Sequence, residues 1–118
     1  MPVRSLNSSV LIWPDRKKVT ESLHDWAIEV KKDNPNIWRV GYFGSYARDD
    51  WGVGSDLDIV LVLNECNLSF EYRAAQWDLS GLPVPVDVLV YTIAEWNEII
   101  QQVGFGRRLA KEVIWIQE

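Results

Sequence analysis

The sequence is poor in the residues that build disulfides, membrane spans and histidine metal sites. Cys66 is its only cysteine and His24 its only histidine. A single cysteine excludes a disulfide within the chain and is typical of a reducing compartment. No apolar run reaches the roughly eighteen residues of a membrane-spanning helix, and no secretory signal is visible, so we expect a cytoplasmic protein without membrane association. His24 has no second ligand at a metal-binding spacing, and we expect it at the surface.

The sequence also lacks a cluster of basic residues. It carries 12 lysines and arginines against 17 acidic residues, for a net charge of −5. Stable binding to a nucleic-acid backbone depends on a basic stripe or patch, so we expect no such binding by the protein alone. A single nucleotide held through a metal ion needs no such patch and is compatible with this charge.

The length and composition are those of one globular domain, which we place at 1–118. Hydrophobic residues make up 47% of the 118 residues, enough for an independent core. Seven tryptophans are present. We expect two or three of them in the core, whereas for the others a partner-binding surface is a competing role.

Apolar periodicity predicts an alternation of helices and strands. Val19, Leu23 and Ala27 recur at helical spacing in a segment that follows Pro14 and ends before Pro35. Alternating apolar runs and turn residues indicate the other elements. The predicted order is a docking segment at 10–13, helix 14–34 with Pro14 in its first turn, strand 37–43, strand 56–63, helix 70–79, strand 85–91, a capping box at Thr92 and Glu95 opening helix 93–103, a helical turn at 107–111 and strand 113–116. This order predicts an α/β fold with a mixed sheet of about four strands packed with helices.

Two carboxylates open the second predicted strand. Asp56 and Asp58 stand two residues apart, so their side chains point to the same face, just where the following apolar run calls for burial. Like charges in such a place repel, and the pKa of at least one of them rises. A divalent cation removes the repulsion, and oxygen ligands on one face suit Mg²⁺, which completes its shell with water and substrate phosphates. The pair predicts a magnesium site; the alternative is a solvated strand end.

A glycine and a serine follow the first predicted strand. Gly44 allows the backbone to approach a phosphate closely. Ser45 begins a short helix, with its hydroxyl and free N–H groups available to an anion. The alternative for both is an ordinary turn and cap. Arg48 has two interpretations as well: it binds phosphate, or it neutralises Asp49 or Asp50.

Together these residues resemble the signature of the DNA polymerase beta-like nucleotidyltransferase superfamily. That signature is Gly-Ser, a spacer of about ten residues, and Asp-x-Asp entering an apolar strand. Here it reads Gly44-Ser45-Tyr46-Ala47-Arg48 and then Ser55-Asp56-Leu57-Asp58. The run is similar to the minimal nucleotidyltransferase branch, whose members often have glycine after the arginine. This chain has Asp49, Asp50 and Trp51 there, so its loop is more acidic and bulkier.

The resemblance implies the transfer of a nucleoside monophosphate, AMP from ATP, to an acceptor hydroxyl. It implies that Asp56 and Asp58 hold two Mg²⁺ ions and that the third carboxylate of the superfamily, on a following strand, is Asp87. The alternative for Asp87 is a strand edge that faces water. Ser55 is expected to cap or orient the metal turn. The expected nucleotide-binding residues are Gly44, Ser45, Arg48 and Ser55.

The resemblance also implies a protein partner. Members of the minimal branch are often encoded beside a helical HEPN-type protein, which here would be a toxin that the chain binds and modifies as its antitoxin. The C-terminal end mixes aromatic and basic residues of the kind enriched at interfaces, which predicts a surface for that partner or for a second copy of the chain. The residues of that end are Phe105, Arg107, Arg108, Lys111, Trp115 and Ile116.

Two alternatives to this function stay open. One is a non-catalytic module of the same fold that neutralises its partner by binding alone. The other is nucleotidyl transfer to a small molecule such as an aminoglycoside. The intact aspartate pair argues against the first, and the missing second domain argues against the second.

Overall fold

A computed structural model describes residues 15–50, 52 and 54–116. Its helices are α1 (Arg16–Asp33), α2 (Ser45–Arg48), α3 (Phe70–Arg73), α4 (Ile93–Ile99) and α5 (Phe105–Glu112). Its strands are β1 (Ile37–Phe43), β2 (Leu57–Leu63), β3 (Val86–Thr92) and β4 (Ile114–Trp115). None of the described helices combines the length and the apolar character of a membrane span. The docking segment predicted at 10–13 lies outside the described residues.

Helix α1 forms where its apolar stripe predicts it, and Asp15 caps its start. The Asp15 carboxylate accepts a hydrogen bond from the Lys18 N–H at 2.8 Å. This bond satisfies one of the donors that every helix start leaves without a partner. Val19, Leu23 and Ala27 are buried, so the stripe faces the core as expected.

The four described strands form one mixed sheet in the order β3-β2-β1-β4. β1 runs antiparallel to β2 and to β4, whereas β2 runs parallel to β3. β2 lies inside the sheet, and every one of its residues except Asp58 is buried. Such an interior strand needs apolar side chains on both faces, which explains its unbroken apolar run. The predicted α/β fold with a mixed four-stranded sheet is confirmed.

Helices cover both faces of the sheet. The odd-numbered residues of β2 pack with the stripe of α1. Val60 and Val62 point the other way and pack with Trp96 of α4 and Leu109 of α5. Because side chains alternate along a strand, Asp58 points to this second face, beside the α4 and α5 layer.

Helix α5 lies close against the end of α4. Gly106 lies against the Ile99 carbonyl, where a Cβ would collide with the backbone. This contact fixes which side of α5 faces the sheet. Phe105, Arg108 and Glu112 stand at i, i+3 and i+7, so they share one side of the helix. That side borders the end of β2 at which Asp58 lies.

Helix α3 is shorter than the predicted helix 70–79, which was wrong at its C-terminal end. It ends at Arg73 and continues through a 3₁₀ turn, Ala74–Gln76, into extended backbone at Trp77. The Arg73 side chain is buried and donates to both oxygens of Glu95, at 2.6 and 3.1 Å, and to the Val90 carbonyl at 3.1 Å. These bonds tie the helix end to β3 and α4, and Trp77 then packs on the α1 side of the core. Tertiary contacts thus override helix propensity.

Helix α4 also ends earlier than predicted. Its capping box at Thr92 and Glu95 is present as expected. The helix stops at Ile99, and turns lead to α5. Val103, which the periodicity placed on the apolar side, is 85% exposed. The helical spacing fails there because the chain reverses to bring α5 onto α4.

More of the tryptophans belong to the core than predicted. Four of the described ones are buried or pack against the core: Trp26, Trp77, Trp96 and Trp115. Trp38 is 40% exposed. Trp13 and Trp51 lie outside the described residues. His24 on α1 is exposed, as expected, and Cys66 is half-buried.

Candidate active site

Six of the seven predicted site residues line one cavity. Its volume is about 440 Å³, and α5 forms one wall. Ser55 is the residue that does not line it. The Ser55 hydroxyl accepts a hydrogen bond from the Gly52 N–H at 2.8 Å, which braces the loop before Asp56. The predicted residues that line the cavity are Gly44, Ser45, Arg48, Asp56, Asp58 and Asp87.

The cavity concentrates negative charge at Asp58. Asp58 and Asp87 are paired across the parallel strands β2 and β3, so their side chains leave the same face. Burial, followed by the charges of Asp87 and Asp56, raises the pKa of Asp58 from 3.8 to about 6. Arg48 acts in the opposite direction but does not cancel these effects. A cation bound here would offset the repulsion.

Gly44 allows the Asp58 carboxylate to lie against the backbone. Its φ is +75°, in the region that favours glycine. A Cβ at this position would also collide with the Asp58 carboxylate. The sequence predicted a glycine that lets a phosphate approach closely. The structure adds that the same glycine makes room for a proposed metal ligand.

The Glu112 carboxylate is a member of the site that the sequence did not predict. One of its oxygens accepts a hydrogen bond from the Gly44 N–H at 2.7 Å, and the other accepts one from the Arg48 guanidinium at 3.0 Å. Burial alone would raise the pKa of Glu112, but the Gly44 and Arg48 contacts outweigh burial and the pKa is lowered. Glu112 is therefore a carboxylate held in a pair of N–H donors.

Arg48 lies between two carboxylates. Besides Glu112, it donates to Asp50 at 3.1 Å, and both bonds raise its pKa, with the larger effect from Glu112. Asp49 pairs instead with Arg16, at 3.4 Å. The sequence offered Asp49 or Asp50 as the carboxylate that Arg48 neutralises, and the structure shows Asp50 as its partner. The guanidinium still lines the cavity.

The remaining wall of the cavity comes mainly from α5. The rings of Phe43 and Phe105 lie edge to face, with 6.3 Å between centroids. Arg108, which the sequence assigned to the partner-binding end, lines the cavity. A signal for this wall was present, since Arg108 and Glu112 stand one turn apart beside the buried Leu109. The Glu112 to Gly44 contact spans 68 residues, and no local pattern reports it.

The carboxylates fit a cation that shares its ligands with a substrate. Among the described residues, no three carboxylate, histidine or cysteine side chains form a group that could hold a metal ion as they stand. Mg²⁺, however, is commonly bound by one or two carboxylates together with substrate phosphates, not by a cage made of protein alone. Asp56, Asp58 and Asp87 meet that requirement in donor type and in shared location.

Comparisons with known proteins agree with this fold. A family model described as "Nucleotidyltransferase domain" matches residues 27–110. A candidate nucleotidyltransferase from Sulfolobus solfataricus superposes with a TM-score of 0.62 at 22% identity, covering 85% of this chain and 80% of that one. A toxin–antitoxin structure with AMP-PNP gives a TM-score of 0.52 at 19% identity, covering 80% of this chain and 72% of that one. No curated protein sequence matches significantly. At these identities the two structures show a shared fold.

Proposed function

Since the chain belongs to the nucleotidyltransferase domain family, we propose that it is a metal-dependent enzyme that moves AMP from ATP to an acceptor hydroxyl and releases pyrophosphate. One observation carries this proposal. Asp58 of β2, Asp87 of β3 and Asp56, which lies just before β2, meet Gly44 and Ser45 in a single cavity. A solvated strand end would leave those carboxylates apart from the glycine-serine turn, so the shared cavity favours a site for a metal-bound triphosphate.

Each aspartate has a role in the proposed reaction. Asp56 and Asp58 would hold two Mg²⁺ ions, and Asp87 would share one of them. When bound, such ions neutralise phosphate charge and polarise the phosphoryl oxygens. The Asp87 carboxylate takes the proton of the acceptor hydroxyl. The acceptor oxygen then bonds to the α-phosphorus, the bond from that phosphorus to the bridging oxygen breaks, and pyrophosphate leaves.

The turn after β1 holds the triphosphate. The Ser45 hydroxyl and the Gly44 N–H donate to phosphate oxygens, and the Arg48 guanidinium adds a positive charge. Ser55 acts indirectly, because its bond to Gly52 positions the loop that carries Asp56. The energetic contribution of these groups is positioning and charge stabilisation at a developing phosphoryl transition state.

We propose that the chain belongs to the minimal branch and acts on a HEPN-type helical toxin as its antitoxin, with activity that depends on that partner. The toxin–antitoxin structure of the same fold supports this choice. At the C-terminal end Phe105 is 45% exposed, and Arg107 and Lys111 are exposed beside it. Trp115 and Ile116 are partly buried, so they offer less exposed surface than predicted. A second copy of the chain is the competing occupant of this surface.

The single cysteine supports a cytoplasmic location.

A non-catalytic partner-binding module is the second candidate function. The observation that favours it is the Glu112 contact with Gly44 and Arg48, since donors assigned to the triphosphate are engaged by the protein itself. The two candidates differ in whether ATP is ever consumed.

The experiment that separates them uses two labels. The chain is incubated with Mg²⁺, its neighbouring gene product and ATP labelled either on the α-phosphate or on the γ-phosphate. Transfer of the α-label to an acceptor, with the γ-label released as pyrophosphate, is the expected result, and Asp87→Asn should abolish it. Transfer of the γ-label would contradict nucleotidyl transfer. Nucleotide binding without transfer of either label would favour the non-catalytic module.

A further inference from the structure

The Glu112 carboxylate occupies the donors that the proposed function assigns to the triphosphate. We propose that Glu112 is an internal competitor for the nucleotide: in the free protein its carboxylate holds the Gly44 N–H and the Arg48 guanidinium, and a metal-bound triphosphate binds by displacing it. This inference rests on the proposed function and adds a residue that controls nucleotide affinity at the same site.

The Gly44 N–H cannot serve both anions at once. The Gly44 N–H carries one hydrogen and donates it to Glu112 at 2.7 Å. Two later N–H groups of this turn, those of Ala47 and Arg48, are engaged as well, because both donate to the Gly44 carbonyl at 3.0 Å. A carboxylate oxygen and a phosphate oxygen accept the same kind of charge-assisted bond. A phosphate that reaches the Gly44 N–H must therefore replace Glu112.

Electrostatics favours this exchange once the nucleotide brings its cations. Glu112 shares the cavity with Asp56, Asp58 and Asp87, and its charge adds to those that raise the pKa of Asp58. The free site thus holds four carboxylates against the guanidinium groups of Arg48 and Arg108. A metal-bound triphosphate supplies positive charge to the aspartates, and the departure of Glu112 removes one repulsive neighbour.

The position of Glu112 allows it to leave without unfolding a helix. It is the last residue of α5, and two residues later β4 begins at Ile114. Its side chain is 25% exposed, so solvent can receive the carboxylate after a change of rotamer. The backbone of α5 remains anchored by the contact of Gly106 with Ile99.

The test compares nucleotide affinity in variants that differ in one contact. The probe is the α,β-methylene analogue of ATP with Mg²⁺, which cannot be cleaved at the α–β position. Glu112→Gln keeps the shape and an acceptor for the Gly44 N–H but removes the charge, and Glu112→Ala removes the contact. If the engaged state dominates the free protein by about ten to one, both variants should bind the probe about tenfold more tightly by calorimetry.

The matched control is Asp50→Asn. Asp50 also pairs with Arg48, at 3.1 Å, but has no bond to Gly44. The Asp50→Asn variant loses one negative charge beside the same guanidinium, and its affinity for the probe should differ from that of the wild type by less than about threefold. The Gly44 amide resonance of Glu112→Ala should differ from that of the wild type. The wild-type resonance should also move when the probe is added, since the substitution and the probe break the same hydrogen bond.

The outcomes separate this inference from the function beneath it. Wild-type binding of the probe together with unchanged or weaker binding in both Glu112 variants overturns the competitor role and makes Glu112 a support of the site. A gain in Asp50→Asn equal to that in Glu112→Gln also overturns it, because general charge would then explain the effect. Failure of the wild type and of every variant to bind the probe contradicts the proposed function itself.

Discussion

Asp58 on β2 and Asp87 on β3 are direct neighbours in the parallel register of the sheet. Burial and this neighbour are the two largest causes that raise the pKa of Asp58 to about 6. A raised carboxyl pKa means that the folded protein is destabilised when Asp58 ionises. The free protein therefore holds a repulsion that a bound cation would relieve, and this property can be measured without any ligand.

The first prediction concerns the stability of Asp58→Asn. Between the ordinary pKa of 3.8 and the folded value of about 6, the folded wild type binds more protons than the unfolded chain. The stability that Asp58 contributes to the wild type is present below this pH range and is lost as the pH rises through the range. Asp58→Asn lacks this loss. Its free energy of unfolding should exceed that of the wild type by about 1 kcal/mol at pH 8, after allowance for solvent screening, and by nearly nothing at pH 4.

Urea denaturation at both pH values measures this difference. Asp25→Asn, at an exposed position on α1, is the control and should show the same difference from the wild type at pH 4 and at pH 8. If Asp58→Asn gains no stability between pH 4 and pH 8, the repulsion inferred for the site is absent.

The second prediction concerns Gly44→Ala. Gly44 combines a φ of +75° with a contact to the Asp58 carboxylate, whereas Gly54 has a φ of +90° with open space around its Cβ position. Gly54→Ala should lose about 1 kcal/mol of stability from backbone strain alone. Gly44→Ala should lose about 2–3 kcal/mol because the collision adds to the strain. Equal losses in denaturant unfolding would show that the Asp58 carboxylate does not need this space.

The third prediction concerns Asp49, which stands where proteins of the minimal nucleotidyltransferase branch often have glycine. Asp49 has a φ of +65° at the end of α2, a left-handed conformation that glycine adopts freely. Asp49→Gly should be more stable than Asp49→Ala by about 1 kcal/mol in thermal unfolding, because both lose the Arg16 ion pair and only alanine keeps the Cβ. Equal stability of the two variants would mean that the left-handed backbone carries no penalty.

The fourth prediction concerns Ser45. Its proposed role is to donate to the triphosphate and not to move a proton, so Ser45→Ala should weaken nucleotide binding by about 1 kcal/mol, or roughly fivefold. The melting temperature without nucleotide should stay near that of the wild type, since the N-cap of α2 is Gly44 and the substitution removes no side-chain cap bond. Calorimetry with unchanged affinity would assign Ser45 a structural role only.

The fold was predictable because its main signals are local. Strand β1 is itself a mostly apolar run of seven residues, and the Thr92 to Glu95 capping box spans one helical turn, so each signal is local. The ends of α3 and α4 were predicted wrongly for the opposite reason. Arg73 stops α3 through bonds to Val90 and Glu95, which are 17 and 22 residues away, and no helical propensity encodes them.

The site divides in the same way. Asp56 and Asp58 were predicted from their spacing of two at the start of a buried strand, and Asp87 from the family resemblance; the structure brings all three into one cavity. Glu112 was not predicted, because it reaches the cavity only through the packing of α5 and through a bond to Gly44, which is 68 residues away in the chain. The sequence does encode a polar face on α5, but only the packing of that helix shows where the face points.

The most direct test of the central claim is the melting temperature of the protein with Mg²⁺ and the α,β-methylene analogue of ATP. A ligand that binds only the folded state at a hundred times its Kd adds about 2.7 kcal/mol of stability. The melting temperature of the wild type should rise accordingly when the ligand is added. The double variant Asp56→Asn with Asp58→Asn should show no such rise, and without ligand it should melt at a temperature equal to or higher than that of the wild type. A double variant that is stabilised as much as the wild type would contradict a metal–nucleotide site at these aspartates.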